Sequence, residues 1–382
     1  MDFSYLTVLP RGRQIWDSVV FPPSEFEERR EKLDQALEEL GADGFLVYSD
    51  GLTRRYVSYI TNYCNSVSWS ASVAMIRKGC DPVVMSSMAP RDATFNKKYL
   101  APHVDLEAGG LSLLSNHHIG GKTVEYIKEH GWMDLNWVGV NLDTMPEVGR
   151  TAIRDAFPEL PDATERFDAV LARKSGSEIF AISQAASMAK RAGLDYLRMA
   201  VPGKNEREVA AGVDRTLRVY GADNVALLVS SGKGPVTLRQ PEDHIIAEDE
   251  VLSVHINVMY LHYQAMFAAT ILPGRTPENE AAKASTDARF QQLVETITEA
   301  KTLKGVSQVD ENGYILAQGI GADLKEYPLA DSDAVLGEGS VFTLTLCENG
   351  AGCGRMVSDT FAVQSGRLVS LGGPGAPGIS IR

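Results

Sequence analysis

His255 lies in the run Val254-His255-Ile256-Asn257. An imidazole titrates near neutral pH, so it can take up or release a proton in acid/base chemistry. Strand alternation puts His255 and Asn257 on one face; the competing reading is a histidine hydrogen-bonded inside a strand. His262 and Tyr263 fall at the turn that follows, where either can contact a substrate or simply pack. His244, in Asp243-His244-Ile245-Ile246, reads as surface. Cys347 and Cys353 flank Glu348-Asn349-Gly350-Ala351-Gly352. Alternation from Thr343 and Thr345 places Cys347 on their face, and a nucleophilic thiol there would need a base such as His255 across the sheet. A small apolar filler is the plainer reading of Cys347. Two cysteines and a lone histidine lack the paired CxxC spacing of a zinc site. The loop Gly350-Ala351-Gly352-Cys353-Gly354 follows a strand without opening a helix, which makes it a poor phosphate cradle.

The elements that must position these residues divide the 382-residue chain in two. Ser24 and Glu27 make a capping-box pattern, and Phe26, Leu33, Leu37 and Leu40 share a helical face that Gly41 ends. Gly44 to Tyr48 reads as a strand, Ala71 to Ile76 with Pro82 to Met85 as a hairpin, Glu125 to Glu129 as helix, and Trp137 to Val140 as strand. Beyond these, helices are expected over Ser177–Arg191, Glu206–Tyr220 and Glu278–Ala300. Strands are expected over Val225–Val229, Val251–Tyr260, Ala265–Ile271, Val341–Leu346 and Asp359–Val363. The fold class is therefore an α/β N-terminal domain followed by an α+β domain, a curved antiparallel sheet with helices on one face. The expected boundaries are an N-terminal extension over 1–23, the α/β domain over 24–168 and the α+β domain over 169–382.

A net charge of −13, from 50 acidic against 37 basic residues, disfavours a nucleic acid or an anionic membrane as partner. The start of the chain has no signal-peptide pattern, and no apolar run reaches membrane-spanning length. Four cysteines form no disulfide framework, so reduced thiols and a cytoplasmic location are expected.

Five stretches, in order, resemble the creatinase/prolidase/methionine aminopeptidase (peptidase M24, "pita-bread") family. Arg29-Arg30 to Leu40 with Gly44-Phe45-Leu46-Val47 and Tyr56 to Tyr63 are similar to its N-terminal domain. Ala172-Arg173-Lys174-Ser175-Gly176-Ser177-Glu178-Ile179 is similar to its "RxxKSxxEI" linker, and Val201-Pro202-Gly203-Lys204-Asn205-Glu206-Arg207-Glu208-Val209 to "PGxxExEV". Gly319-Ile320-Gly321 with Glu326 and Pro328 follows "GHGIGxxxHExP", while Leu336 to Thr343 and Ser358-Asp359-Thr360 follow "LxPGMVFTxEP" and "EDT".

The resemblance implies where a two-metal site would stand. Metal-dependent members use two Asp, one His and two Glu; those positions fall here on His255, Met266, Gln318, Thr345 and Ser358. With no carboxylate among them, no metal and no cofactor are expected. Metal-free members such as creatinase and ectoine hydrolase exist, and the histidine of the former corresponds roughly to Arg239.

The resemblance thus implies a metal-independent hydrolase of a C–N (amide or amidine) bond in a small metabolite. His255, with Tyr263, Glu348 and Cys347, would serve catalysis. Arg239, Asn257, His262, Met266, Gln318, Lys325, Glu326, Thr345 and Ser358 would bind substrate, Lys325 offering a positive charge to an anionic group. Glu326 and Asp359 retain family positions and can equally anchor strands. A lyase, a non-catalytic binding module and a metal-dependent Xaa-Pro aminopeptidase are the alternatives; the ligand tally speaks against the last. The family also implies a homodimer in which the N-terminal domain lies near the partner's active site, with the extension and Arg54, Arg55 and Tyr56–Tyr63 available for that role.

Overall fold

The structure is a computed structural model that describes residues 17–63, 70–87, 100–108, 118–330, 332–349, 353–373 and 378–381. Residues 1–16 of the expected extension and Gly350-Ala351-Gly352 lie outside the described residues. Two compact units divide between Leu171 and Ala172.

The first unit opens with α1 (Pro23–Leu40), whose first turn begins on a proline and has no side-chain cap. The Ser24/Glu27 capping box therefore does not form: Pro23 takes the first helical position, where a missing N–H costs nothing. Gly41 ends α1 in the left-handed region at φ 63°, which a residue with a Cβ adopts only under strain. Five strands follow, β1 (Gly44–Asp50), β2 (Ala71–Arg77), β3 (Val83–Ser86), β4 (Asp105–Ala108) and β5 (Trp137–Val140). Among the described residues they form one sheet in the order β4-β3-β2-β1-β5. β1 pairs antiparallel with β2 and parallel with β5.

The helices of this unit are α2 (Arg55–Thr61), α3 (Ile119–Glu129), α4 (Glu147–Ala156) and α5 (Thr164–Leu171). Phe167 of α5 is fully buried among Phe45, Tyr56 and Tyr59, which keeps α5 whole within this unit and moves the boundary beyond the expected 168. Phe21 is buried too, with the Arg29 guanidinium 5.3 Å above its ring, so the end of the expected extension is part of the unit's core. Tyr56, Tyr59 and Tyr63 are likewise interior, and Arg55 is held by Asp168 at 3.2 Å. These side chains are engaged within the unit.

The second unit carries α6 (Gly176–Met199), α7 (Glu206–Val219) and α8 (Pro277–Ala300). Its strands are β6 (Asn224–Gly232), β7 (Val251–Tyr260), β8 (Tyr263–Leu272), β9 (Gln308–Asp310), β10 (Gly313–Gly319), β11 (Val341–Glu348), β12 (Arg355–Gln364), β13 (Arg367–Ser370) and β14 (Ile379–Ile381). Among the described residues they form one sheet with the path β6-β7-β8-β12-β11-β10-β9. β13 is added beside β12, and β14 runs parallel to β8.

A capping box does occur at the start of α6. The Ser175 hydroxyl accepts from the Glu178 N–H, and the Glu178 carboxylate accepts from the Ser175 N–H. Ile179, Ile182, Ala186 and Ala189 form the buried stripe of α6. Gly193 extends that stripe: a Cβ there would stand 2.6 Å from the Phe267 ring and 3.8 Å from Val254. The helix thus covers the sheet face that carries Val254 and Phe267. On the other half of the sheet Phe290 and Ile297 of α8 pack with Leu344, Leu346, Val357 and Phe361. Alternation sends His255, Ala268, Thr345 and Ser358 to the opposite face.

Candidate functional site

Strand register alone brings four residues from four strands into line. Thr345 pairs with Ser358, Ser358 with Ala268, and Ala268 with His255. Leu316 and Leu228 extend this row at its two ends. The adjacent row holds Gln318, Thr343 and Asn257 beside Met266. Three of the five positions the resemblance singled out thus share one cross-strand row, and the other two lie on the same face.

His255 is partly exposed at one edge, while protein surrounds most of the ring. That loss of water pushes its pKa down to about 4, so the imidazole is neutral at physiological pH. Desolvation is the one resolved cause; no carboxylate orients the ring, and among the described residues its nitrogens have no hydrogen-bond partner. Thr345 Oγ1 and Ser358 Oγ lie 2.8 Å apart, with Ser358 fully buried. One hydroxyl proton joins the pair and the other remains available to donate. Between Ser358 and His255 stands only the methyl group of Ala268, leaving a gap of two strand spacings, about 10 Å.

Asn257 is fixed by its neighbours. Its Nδ2 donates to Gln264 Oε1 at 2.8 Å, and Gln264 Nε2 donates to the Ala322 carbonyl at 2.9 Å. Asn257 Oδ1 is buried with no partner among the described residues. Gln318 Nε2 donates to the Leu324 carbonyl at 3.1 Å. Met266 is half-buried, and its main chain both donates to and accepts from Thr360 Oγ1, at 3.0 Å each.

Several residues expected at the site are engaged elsewhere. Arg239 bonds to Glu206 at 2.5 Å and to Ser231 at 2.8 Å, so it neutralises a fully buried carboxylate. Burial alone would raise the Glu206 carboxyl, but hydrogen bonds from Arg239, the Glu242 N–H and Ser231 together lower it. The Tyr263 hydroxyl donates to Glu178 at 3.1 Å, on the side of α6. Glu348 ties α8 to the sheet through Thr286, Arg289 and Arg355. Burial opposes its charge, yet those three partners together lower its pKa.

Cys347 is buried, and desolvation with the Glu348 charge pushes its thiol up to about 11, the reverse of activation. It also lies three strand spacings from His255, about 14 Å along the sheet, too far for a thiol–imidazole pair. His262 occupies a left-handed turn position at φ 70° and gives its N–H to Asp223. Glu326 is buried against Lys174 at 2.5 Å. Asp359 accepts from Ser370 at 2.6 Å, joining β12 to β13. Lys325 is exposed and makes no ion pair among the described residues.

Sequence reasoning did not find the Thr345–Ser358 hydroxyl pair, Ala268 or the Gln264–Asn257 relay. The first two depend on register across strands far apart in the chain, whereas Asn257 and Gln264 are diagonal neighbours across the β7–β8 hairpin, Asn257 opposite Met266 and Gln264 opposite Met259, a spacing that hairpin geometry could have revealed. The junction of β8 and β12 was equally hidden. Around the single Ser358–Ala268 pairing, Thr360 bonds to the main chain of Met266 and Thr270 to that of Met356.

The five family ligand positions offer one imidazole, one thioether, one amide and two hydroxyls. Hard divalent cations are concentrated by carboxylates, and none faces this row. Among the described residues no group of three His, Cys, Asp or Glu side chains could hold a metal ion. The donor set does not fit a pair of such ions.

Comparison with known proteins extends the resemblance. Residues 181–365 match the model of metallopeptidase family M24. An Xaa-Pro dipeptidase of Pyrococcus furiosus is 26% identical over 193 residues, which span 45% of this chain and 54% of that protein. An Xaa-Pro dipeptidase of Pyrococcus horikoshii is 27% identical over 190 residues, again 45% and 54%. The chain thus spans about half the length of these relatives. The X-Pro aminopeptidase of Thermotoga maritima superposes with a TM-score of 0.70 at 19% identity, covering 92% of this chain and 99% of that one. The prolidase of Pyrococcus horikoshii gives 0.68 at 17% identity, covering 91% and 99%. The architecture is that of the pita-bread fold.

Proposed function

We propose, from the match of residues 181–365 to the model of metallopeptidase family M24, that this chain is a hydrolase of a C–N bond whose site works without metal. The observation that carries the reading is the row Thr345–Ser358–Ala268–His255, which holds two hydroxyls and a neutral imidazole with no hydrogen-bond partner among the described residues, at positions where the resemblance implies carboxylates in metal-dependent members. In the proposed reaction a water molecule bonded to His255 adds to the carbonyl carbon. The imidazole takes the water proton as the C–O bond forms and returns it to the leaving nitrogen as the C–N bond breaks. The spare Thr345–Ser358 hydroxyl proton is placed to donate to the oxygen on which negative charge develops.

The test is turnover by chelator-treated protein on a panel of Xaa-Pro dipeptides and small neutral amides. Activity is expected without added metal, and His255→Ala is expected to lose about 10²–10⁴-fold. For the wild type, kcat/KM should rise as His255 loses its proton, with a midpoint near its pKa of about 4, and then level off. Turnover that requires Mn²⁺, Co²⁺ or Zn²⁺, or that survives His255→Ala, removes this reading.

One observation favours a second reading, a ligand-binding module without turnover: no carboxylate orients His255 or raises its basicity. Saturable binding with no hydrolysis on any panel member selects it.

A further inference from the structure

We propose that the sheet face carrying His255, Met266 and Gln318, each partly exposed, selects uncharged ligands bearing an N–H group, with Asn257 Oδ1 as the acceptor that recognises that N–H. The inference deepens the reading above and rests on it only in taking this face as the ligand site.

The orientation of Asn257 follows from chemistry. The Ala322 carbonyl can only accept, so it fixes Gln264 with Nε2 toward it, at 2.9 Å. Gln264 Oε1 is thereby turned to Asn257 and takes its Nδ2 at 2.8 Å. The relay leaves Asn257 Oδ1 as the free end. The side chain is only 8% exposed, and this oxygen has no partner among the described residues. A buried acceptor without a donor costs free energy that a ligand N–H would recover.

The charge of the face gives the second constraint. His255, one strand position-pair from Asn257, is neutral at physiological pH. The rest of its row is Leu316, Thr345, Ser358, Ala268 and Leu228, and the row through Asn257 contributes Gln318, Thr343 and Met266. None of these carries a charge. Four charged groups that the sequence offered to this face are held elsewhere: Arg239 by Glu206, Glu348 by Arg289 and Arg355, Glu326 by Lys174, and Asp359 by Ser370. A zwitterionic dipeptide would bury two charges here without counter-ions, whereas a neutral amide or lactam would not.

Three matched probes test this on the full chain by calorimetry: cyclo(Gly-Pro), which is neutral with one N–H; cyclo(Sar-Pro), in which that N–H is N-methylated; and linear Gly-Pro. Cyclo(Gly-Pro) is expected to bind about tenfold more tightly than either of the others, the loss of one hydrogen bond or the burial of charge. In Asn257→Ala the difference between the two cyclic probes should vanish, with the thermal midpoint measured to verify folding. The wild-type comparison stands without any variant. Equal binding of the two cyclic probes, tighter binding of Gly-Pro, or no binding of any at millimolar concentration overturns the proposal. N–H selectivity without hydrolysis leaves it standing while the hydrolase reading falls; hydrolysis without selectivity does the reverse.

Discussion

The two faces of the second unit's sheet treat polar groups in opposite ways. On the helix-covered side and along the sheet's margins several buried charges are matched by counter-charges: Glu206 with Arg239, Glu348 with Arg289 and Arg355, Lys174 with Glu326. On the other side none of the residues named in the two rows is charged, and among the described residues the His255 ring and Asn257 Oδ1 have no partner. Unpartnered buried atoms are not confined to that face, since the Tyr196 hydroxyl of α6 is also buried without a partner among the described residues. What distinguishes the two sides is charge: buried carboxylates on one side are held by cations or hydrogen bonds, while the cross-strand rows through His255 and Asn257 carry none.

The sharpest way to break this division is to unpair the scaffold. Lys174→Met leaves the Glu326 carboxylate, 2% exposed, with a backbone N–H from Asp323 but no counter-charge. A loss of about 3–5 kcal/mol is expected in denaturant unfolding. The double variant Lys174→Met/Glu326→Leu should recover most of it, since the penalty lies in the orphaned charge. Stability unchanged in the single variant would mean that the pair contributes nothing to the scaffold.

His255 offers a test from the opposite side. Its pKa is lowered from 6.5 to about 4 by burial, so the folded chain refuses a proton that the unfolded chain accepts between those values. The folded state is then at no disadvantage above about pH 6.5, and loses stability progressively as pH falls toward 4, by up to about 3 kcal/mol. His255→Gln should remove this share of the acid slope while leaving stability at neutral pH within about 1 kcal/mol. An unchanged slope would show that the ring is better hydrated than its surroundings indicate.

The fold was largely legible in the sequence because its signals are local. The Val251–Tyr260 strand coincides with β7, the α6 stripe has helical spacing, and Gly41 stops α1 as its type dictates. The site was legible only as positions. His255, Thr345 and Ser358 could be named, but their alignment in one row depends on pairings between β7, β8, β12 and β11. Arg239, Tyr263 and Glu348 misled for the complementary reason. A sequence shows that a residue can ionise or donate, whereas the partner that occupies it lies far along the chain: Glu206, Glu178 and Arg289 respectively. The Ser24/Glu27 box failed more locally, to a proline one residue earlier.

The smallest effect asks whether the Thr345–Ser358 pair belongs to the scaffold or to the site. The hydroxyls are 2.8 Å apart, and Ser358 is fully buried with Thr345 between it and the edge of the face. Thr345→Val keeps the shape and leaves Ser358 Oγ without its partner; Ser358→Ala does the converse. Each should cost about 1–2 kcal/mol, because a buried hydroxyl stripped of its hydrogen bond retains its desolvation penalty. The double variant removes both polar groups, so it should cost less than the sum of the singles, with a coupling of about 1 kcal/mol in a double-mutant cycle. Strict additivity would mean that each hydroxyl is already satisfied from the bare face. The pair would then behave like Asn257 and His255, as part of the site.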